Sequence, residues 1–381
     1  MQKTGDQQLL KRINRSVLLR LLKQQPGLSR AKLSEQSGLT KSTVSALVRE
    51  LISEQWLSEA NATVAAQGKG RPSMPLRINT QTRVLVGVEI AVESVRAVCV
   101  DLDGQVLAQE QAPLSDMQPS KVCAQAAQLV AQLCLYIDAK RLLLSGVGVC
   151  LPGAIAGDSG VVHFAPNLGW RGVPFLSLIS EAFAQVGVSA SSIHLQNDAD
   201  AAALGEYEFS SDDNDGPLIF VNCNVGVGAG IVLNDRLFTG AVGTAGEIGH
   251  TILQVDGPRC SCGRKGCAET YIGSRAIAGQ NGAQAGSEAR AASIEQAGCY
   301  LGVLIQNLDV TFNPRVVVVG GKSCISYPNL LAIAIKNVAA YAQSAGVPAP
   351  QLRTARYGLW AAAVGGAALV WHRFLRPIPV V

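Results

Sequence analysis

Between Arg259 and Glu269 three cysteines fall within eight positions, as Cys260, Cys262 and Cys267, and His250 stands upstream in the spacing H-x9-C-x-C-x4-C. Three thiolates and one imidazole make up a closed tetrahedral donor set, the chemistry of a structural zinc site. Gly263 and Gly266 allow the loop to fold round an ion. With all four positions filled by protein, such an ion has no open position for hydrolysis and serves to hold the loop. A redox pair, or three incidental thiols, is the alternative.

Carboxylates flank this cluster. Glu247 lies three residues before His250, and Glu269 two residues after Cys267. A metal-bound histidine has one ring nitrogen on the ion and the other free to hydrogen-bond, with its tautomer fixed. The metal would therefore hold His250, Glu247 and Glu269 rigidly round one small polar ligand. Fixed carboxylates and an imidazole with few aromatic neighbours suit a polyhydroxylated molecule such as a sugar. A further pair, Asn197-Asp198, could supply a hydrogen-bonding amide and a carboxylate. Taken alone, such a pair is as readily a turn or a helix N-cap.

These residues need a scaffold. The chain has 381 residues with 48% hydrophobic and 16% charged content, enough for two or three domains and too apolar for a disordered protein. No basic-then-apolar leader with a small-residue cleavage site is read at the N-terminus. The apolar stretch 359–375 is too short for a membrane span and carries His372 and Arg373, so a buried helix is expected there and no membrane insertion. Cys99, Cys134, Cys150 and Cys223 sit in apolar runs and read as reduced core residues of a cytoplasmic protein. From residue 84 the texture is α/β. Strands are expected over 84–90, 95–102 and 105–110, helices near 120–138 and 174–187, and strands over 142–153 and 193–198. Strands at 217–224 and 228–235 begin the same pattern again, a weak internal repeat. Two such lobes would place a ligand in the cleft between them.

The N-terminal region differs. Residues 1–80 hold 13 Lys+Arg against 5 Asp+Glu, while the remainder holds 19 against 23. A basic module on a mildly acidic body points to an anionic partner for the module alone, nucleic acid first, although a solvated basic face would give the same count. Helices are expected over 9–24, 30–38 and 41–55, with Ser29 and Thr40 as N-caps and Gly38 as the stop of the second. This is helix-turn-helix spacing. Thr40, Lys41, Ser42, Thr43 and Ser45 open the third helix and can reach base edges or phosphates in a major groove. The segment 68–79 reads as a wing, with Lys69 and Arg71 at its tip for the minor groove.

The segment "AGEIGHTILQVDGPRCSCGRKGCAETY" resembles the signature of the ROK family of repressors, open reading frames and kinases. "LPGAIAGDSGVVHFAPNLGW" resembles that family's first sugar-contact region, "QNDADAAALGE" its Asn-Asp pair, and "NPRVVVVGG" the strand entering its adenosine region. The resemblance implies an actin-like (ribonuclease H-like) pair of α/β lobes, the sugar-kinase fold. With the winged helix attached, the chain resembles the family's sugar-responsive repressors, the NagC/XylR and Mlc group. The expected domains are 1–79 for DNA binding, 80–195 for the first lobe completed by the C-terminal helix 359–381, and 196–358 for the second lobe with the zinc loop.

The resemblance also assigns roles. Asn197, Asp198, Glu247, His250 and Glu269 would bind sugar hydroxyls, with Gly153 and Asn167 lining the pocket. In a kinase Asp198 would be the catalytic base. A family kinase, however, carries D-x-G-G-T after its first strand, where backbone amides approach phosphate. This chain has "EIAVES" at 89–94, with Glu89, Ala91, Val92 and Glu93 in the loop. The second phosphate loop, "NVGVGAG" at 224–230, keeps Gly226, Gly228 and Gly230 but opens on Asn224. Those glycines are equally explained by a tight strand pair. ATP and Mg are therefore not expected, structural Zn is, and the expected partners are operator DNA, a sugar effector and a second copy, as homodimer or homotetramer. The expected function is a sugar-responsive repressor, with an ATP-dependent hexose or N-acetylhexosamine kinase carrying an accessory DNA-binding domain as the alternative.

Overall fold

The computed structural model describes residues 7–59, 74–156, 159–210, 216–241, 243–278 and 287–377. Three helices open the chain: α1 (Gln7–Gln24), α2 (Arg30–Ser37) and α3 (Lys41–Ser53). Ser29 caps α2 by accepting the Lys32 N–H, and Thr40 caps α3 by accepting the Thr43 N–H. Gly38 closes α2 at φ +71°, a left-handed conformation that costs glycine nothing. Leu18, Leu19, Leu22, Leu33, Val44, Leu47 and Leu51 form the module's core. Leu10 is 52% exposed in the first turns of α1, ahead of the buried stretch. A two-stranded ribbon follows, β1 (Leu57–Glu59) antiparallel to β2 (Leu76–Ile78). The expected wing tip, Lys69 and Arg71, lies outside the described residues.

The third helix ends two residues earlier than its sequence suggests. Gln55 turns at φ +62°, and the free carbonyl of Glu54 is taken by Arg83, whose Nε and Nη2 donate to it at 2.9 and 2.7 Å. The Arg83 guanidinium also lies 4.1 Å above the Trp56 ring, and Phe374 stacks on Trp56 at 4.1 Å. The DNA-binding module is thus docked directly on the body.

The first lobe comprises β3 (Arg83–Ile90), β4 (Ser94–Asp101), β5 (Val106–Pro113), α4 (Pro119–Ala139), β6 (Leu143–Leu151), β7 (Ala154–Ala156), β8 (Val161–Ala165), β9 (Trp170–Val173), α5 (Phe175–Ala184) and β10 (Ile193–Asn197). Its main sheet runs β10-β6-β3-β4-β5, and β7-β8-β9 form a small separate sheet. Helix α4 has the length and hydropathy of a membrane span, but its apolar face packs with the main-sheet strands and α5 in one core. The second lobe comprises α6 (Asp198–Glu208), β11 (Leu218–Cys223), β12 (Val227–Leu233), β13 (Arg236–Leu237), α7 (Glu269–Ile272), α8 (Ser274–Ala278), α9 (Ser287–Phe312), β14 (Val316–Gly320), α10 (Lys322–Ser326), α11 (Asn329–Ala345) and β15 (Gln351–Thr354). Its sheet runs β13-β12-β11-β14-β15. In each sheet the first strand has an antiparallel meander on one side and parallel strands on the other. The repeat in the sequence is therefore a repeat of topology, the actin-like pair of lobes.

The last helix, α12 (Ala361–Leu375), lies on β3 and β6 of the first sheet and crosses α6, which lies on β11 and β12 of the second. Two helices thus fill the space between the sheets, and the fit depends on missing side chains. A Cβ on Gly148 of β6 would meet the Gly366 carbonyl oxygen at 1.8 Å, and one on Gly365 would meet the Ala201 carbonyl oxygen at 2.0 Å. Gly148→Ala and Gly365→Ala should each cost about 1–3 kcal/mol or more, as overpacking of a closed core does. Urea unfolding of the two variants checks this, and wild-type midpoints would refute the close approach.

Candidate functional site

Asn197 and Asp198 stand where the last strand of the first lobe meets the first helix of the second. Strand β10 ends at Asn197 and α6 begins at Asp198. Asn197 is the N-cap of α6: its Oδ1 accepts the N–H groups of Ala199 at 2.8 Å and Asp200 at 3.2 Å, and its Nδ2 donates to the Gly153 carbonyl at 3.1 Å. The capping role open to this residue in the sequence is therefore real, and it leaves one Nδ2 hydrogen for a ligand. Gly153 stands at φ +123°, and a Cβ there would meet the Phe164 carbonyl oxygen at 2.5 Å, so packing against β8 accounts for it.

Asp198 is oriented by Asn222 of β11, whose Nδ2 donates to Oδ2 at 3.1 Å. Burial pushes its carboxyl up to about 6; the backbone N–H of Ala199 and its own pull it down, and the Glu247 charge pushes it up. Asp200 is held well above the ordinary carboxylate range by burial, with the Asp198 and Glu247 charges adding to it. Glu247 is an exposed residue at the start of the turn Ile248–His250.

Glu269 opens α7 and accepts the Val227 N–H on Oε2 at 3.2 Å. A Cβ on Gly226 would stand 2.9 Å from that same oxygen and 3.6 Å from Asn167 Nδ2. Glu269, Gly226 and the exposed Asn167 therefore meet, and Asn167 brings the first lobe to the second. Gly226 is explained by the room Glu269 needs. Gly230 is explained by α6, because its Cβ would meet the Ala199 carbonyl oxygen at 2.3 Å. Neither glycine requires a phosphate.

His250, Cys260, Cys262 and Cys267 converge, with all their donor atoms within 4.8 Å of one another. Cys262 Sγ and Cys267 Sγ are 3.7 Å apart, as are Cys260 Sγ and His250 Nδ1. A tetrahedron with bonds of about 2.3 Å has edges near 3.8 Å, so the spacing fits a four-coordinate ion with thiolate ligands. All three cysteines are free of disulfides. With Nδ1 turned to Cys260, Nε2 of His250 is the atom left for a hydrogen bond elsewhere. The loop is held to the body by Gln254, whose Oε1 accepts from Tyr271 Oη at 3.0 Å and Tyr300 Oη at 3.1 Å.

Charged side chains stand on β3 and β4 and in the turn between them. Buried Glu89 pairs with Arg96 at 2.9 Å; burial pushes it up to about 7, and Arg96 opposes the shift. Glu93 pairs with Lys322 of α10 at 2.6 Å, across the lobes. Asn224 Oδ1 accepts the Lys322 N–H at 2.6 Å, and its Nδ2 donates to Asn222 Oδ1 at 3.1 Å. A chain of amides thus joins Asp198 to Lys322. Sequence reasoning missed Asn222, Arg96 and Lys322. A lone asparagine inside the buried strand "LIFVNC" was the available signal for the first.

On the DNA side, Thr40, Lys41 and Ser42 are exposed, and Thr43 and Ser45 are half-buried at the start of α3. The Thr40 hydroxyl bonds those of Ser42 at 2.9 Å and Thr43 at 2.8 Å. Arg77 of β2 is an exposed cation that sequence reasoning did not single out.

A capped helix-turn-helix, two lobes whose main sheets share one strand order, and a Cys/His loop point to a DNA-binding transcriptional regulator built on a sugar-kinase body. Residues 85–373 match the ROK family and residues 12–57 match a winged helix-turn-helix DNA-binding domain, so the chain belongs to the ROK family. It is 29% identical to the xylose repressor of Bacillus subtilis, over 97% of this chain and 98% of that one. Among solved structures it is similar to a ROK family transcriptional regulator described as a homologue of Escherichia coli MLC, with TM-score 0.76, 25% identity, and coverage of 96% of this chain and 97% of that one. The body is similar to a ROK hexokinase from Thermus thermophilus, with TM-score 0.63, 27% identity, and coverage of 76% of this chain and 98% of the hexokinase.

Two outcomes follow from this geometry. If the four side chains hold a metal that braces a sugar site, Cys262→Ser should lose the metal and weaken sugar binding without touching the sugar; metal stoichiometry by elemental analysis checks it, and retained metal refutes the ligand set. If Asp198 accepts a sugar hydroxyl as a carboxylate, sugar affinity should fall as pH drops through about 6, since protonation removes the acceptor. Calorimetry from pH 5 to 8 checks this, and Asp198→Asn should flatten the profile.

Proposed function

We propose that the chain is a sugar-responsive transcriptional repressor of carbohydrate-metabolism genes. In this reading α3 enters the operator's major groove with Thr40, Lys41, Ser42, Thr43 and Ser45, and the wing adds Lys69 and Arg71. Asn197, Asp198, Glu247, His250 and Glu269 hold the sugar, with Gly153 and Asn167 at its edge. A structural zinc ion on His250, Cys260, Cys262 and Cys267 fixes the far wall. The protein works in the cytoplasm as a homodimer or homotetramer on a palindromic operator. The sugar favours one arrangement of the lobes, and that arrangement binds operator less well.

One observation supports the reading: Asn197, Asp198 and Glu269 offer hydrogen-bonding groups, while the β3–β4 hairpin, where a family kinase would carry its phosphate loop, holds the Glu89–Arg96 and Glu93–Lys322 pairs. A carboxylate in the phosphate turn repels a nucleotide. The second reading, a sugar kinase, is favoured by the presence of Asp198 with its carboxyl near 6, the range of a general base.

Selection of bound fragments from random duplex DNA, followed by anisotropy with a panel of xylose, glucose and N-acetylglucosamine at fixed salt, tests the proposal. A palindromic site released by one sugar is expected. No enrichment of any DNA overturns it, and turnover in a coupled ATPase assay abolished by Asp198→Asn replaces it with the kinase.

A further inference from the structure

Helix α6 starts in the sugar cleft at Asp198 and ends at Glu208. Its eleven residues span about 16 Å. The Glu208 side chain has 0% exposure, and its two oxygens serve different elements. Oε2 accepts from Lys23 Nζ of α1, in the DNA-binding module, at 2.6 Å. Oε1 accepts from His372 Nδ1 at 2.7 Å and from Arg376 at 2.5 Å, at the end of α12. Two residues earlier on the same helix, Glu206, also fully buried, accepts from Arg353 of β15 at 2.6 Å and from the Arg356 N–H at 2.7 Å. One end of α6 is therefore tied to the second lobe through Glu206, and to α12 and the DNA-binding module through Glu208.

A carboxylate with no solvent exposure is tolerated only while its partners stay in place, because a buried charge that loses a partner keeps its full desolvation cost. The knot at Glu208 therefore has an all-or-none character that packed leucines lack. If α6 shifts with its ligand, Lys23 either follows or leaves a buried carboxylate short of a partner.

We propose that Glu208 and Lys23 are the coupling residues of this protein: they carry displacement of α6 at the sugar cleft to α1, and so to the recognition helix that α1 supports. The inference rests on the sugar-responsive reading above and names the residues through which the response travels. Neither residue touches sugar or operator, so both are positioning residues.

The test uses the protein with its DNA-binding module and Lys23→Met, which keeps an unbranched stem and removes the charged terminus. Operator affinity is measured by anisotropy with and without saturating xylose, glucose or N-acetylglucosamine, and sugar affinity by calorimetry. Wild type should show about a ten-fold or larger ratio between the two operator affinities with the inducing sugar. Lys23→Met should bind that sugar unchanged yet bring the ratio close to one, and Lys23→Arg should restore it. Loss of a cation near DNA lowers both operator affinities alike, so the ratio is the informative quantity. A wild-type ratio in Lys23→Met overturns the proposal, as does a lowered melting temperature with the ratio preserved.

A wild type that responds to no sugar in the panel defeats the sugar reading instead. The coupling is then read without sugar, from spin-label distances between non-natural residues at exposed Arg49 of α3 and Leu135 of α4. Lys23→Met should broaden that distribution, and an unchanged distribution overturns the proposal.

Discussion

The crossing of α6 with α12 is the contact on which the rest of the molecule depends. Each helix covers the inner face of one sheet, and each is poor in bulk at the crossing: "DADAAALGE" in one and "AAAVGGAALV" in the other. Backbone meets backbone there, with the Gly365 Cα 3.1 Å from where a Cβ on Gly205 would stand. Small residues make helices approach closely, and close approach gives a stiff joint with one register. A looser, leucine-filled joint would hold the lobes together as well but would transmit less of a small displacement.

The charged groups inside the body follow the same economy. Buried acids cost free energy unless they are paired or protonated. Glu206 and Glu208 are paired with cations of neighbouring elements, so they tie those elements down. Asp198, Asp200 and Glu89 are not neutralised to the same degree, and burial raises all three. The N-terminal end of α6 therefore carries carboxylates that burial raises, while its C-terminal end carries carboxylates held by cations. A single helix carries both kinds of carboxylate, six to ten residues apart.

Much of this was legible in the sequence. The caps Ser29 and Thr40, the Gly38 stop and the Cys/His spacing are local signals, and local signals survive folding. The doubled strand pattern was faintly visible and proved to be the repeated strand order of the two sheets. The small sheet β7-β8-β9 and the long helices α9 and α11 were not read, and α3 was read too long because Arg83 takes the Glu54 carbonyl from afar. The roles of Lys23, Glu208, His372 and Arg376 share that cause: they lie far apart in sequence, and nothing in their neighbours announces the meeting. Gly226 and Gly230 looked like remnants of a phosphate loop, and only the positions of Glu269 and Ala199 show what each glycine makes room for.

The docking of Trp56 between Phe374 and Arg83 has a bearing on modularity. A winged helix is commonly regarded as a cassette, joined to its effector domain by a flexible tether and exchangeable for another. Here only Asn79 to Thr82 separates β2 from β3, and even these residues are occupied: the Asn79 N–H bonds the Trp56 carbonyl, and Thr82 Oγ1 bonds that of Gln55. The reading head and the body form one rigid piece at this seam. A transplanted head would have to bring its own tryptophan and its own lysine for Glu208. The head and the body of this chain therefore share one buried seam, and a change of residue on one side constrains the other.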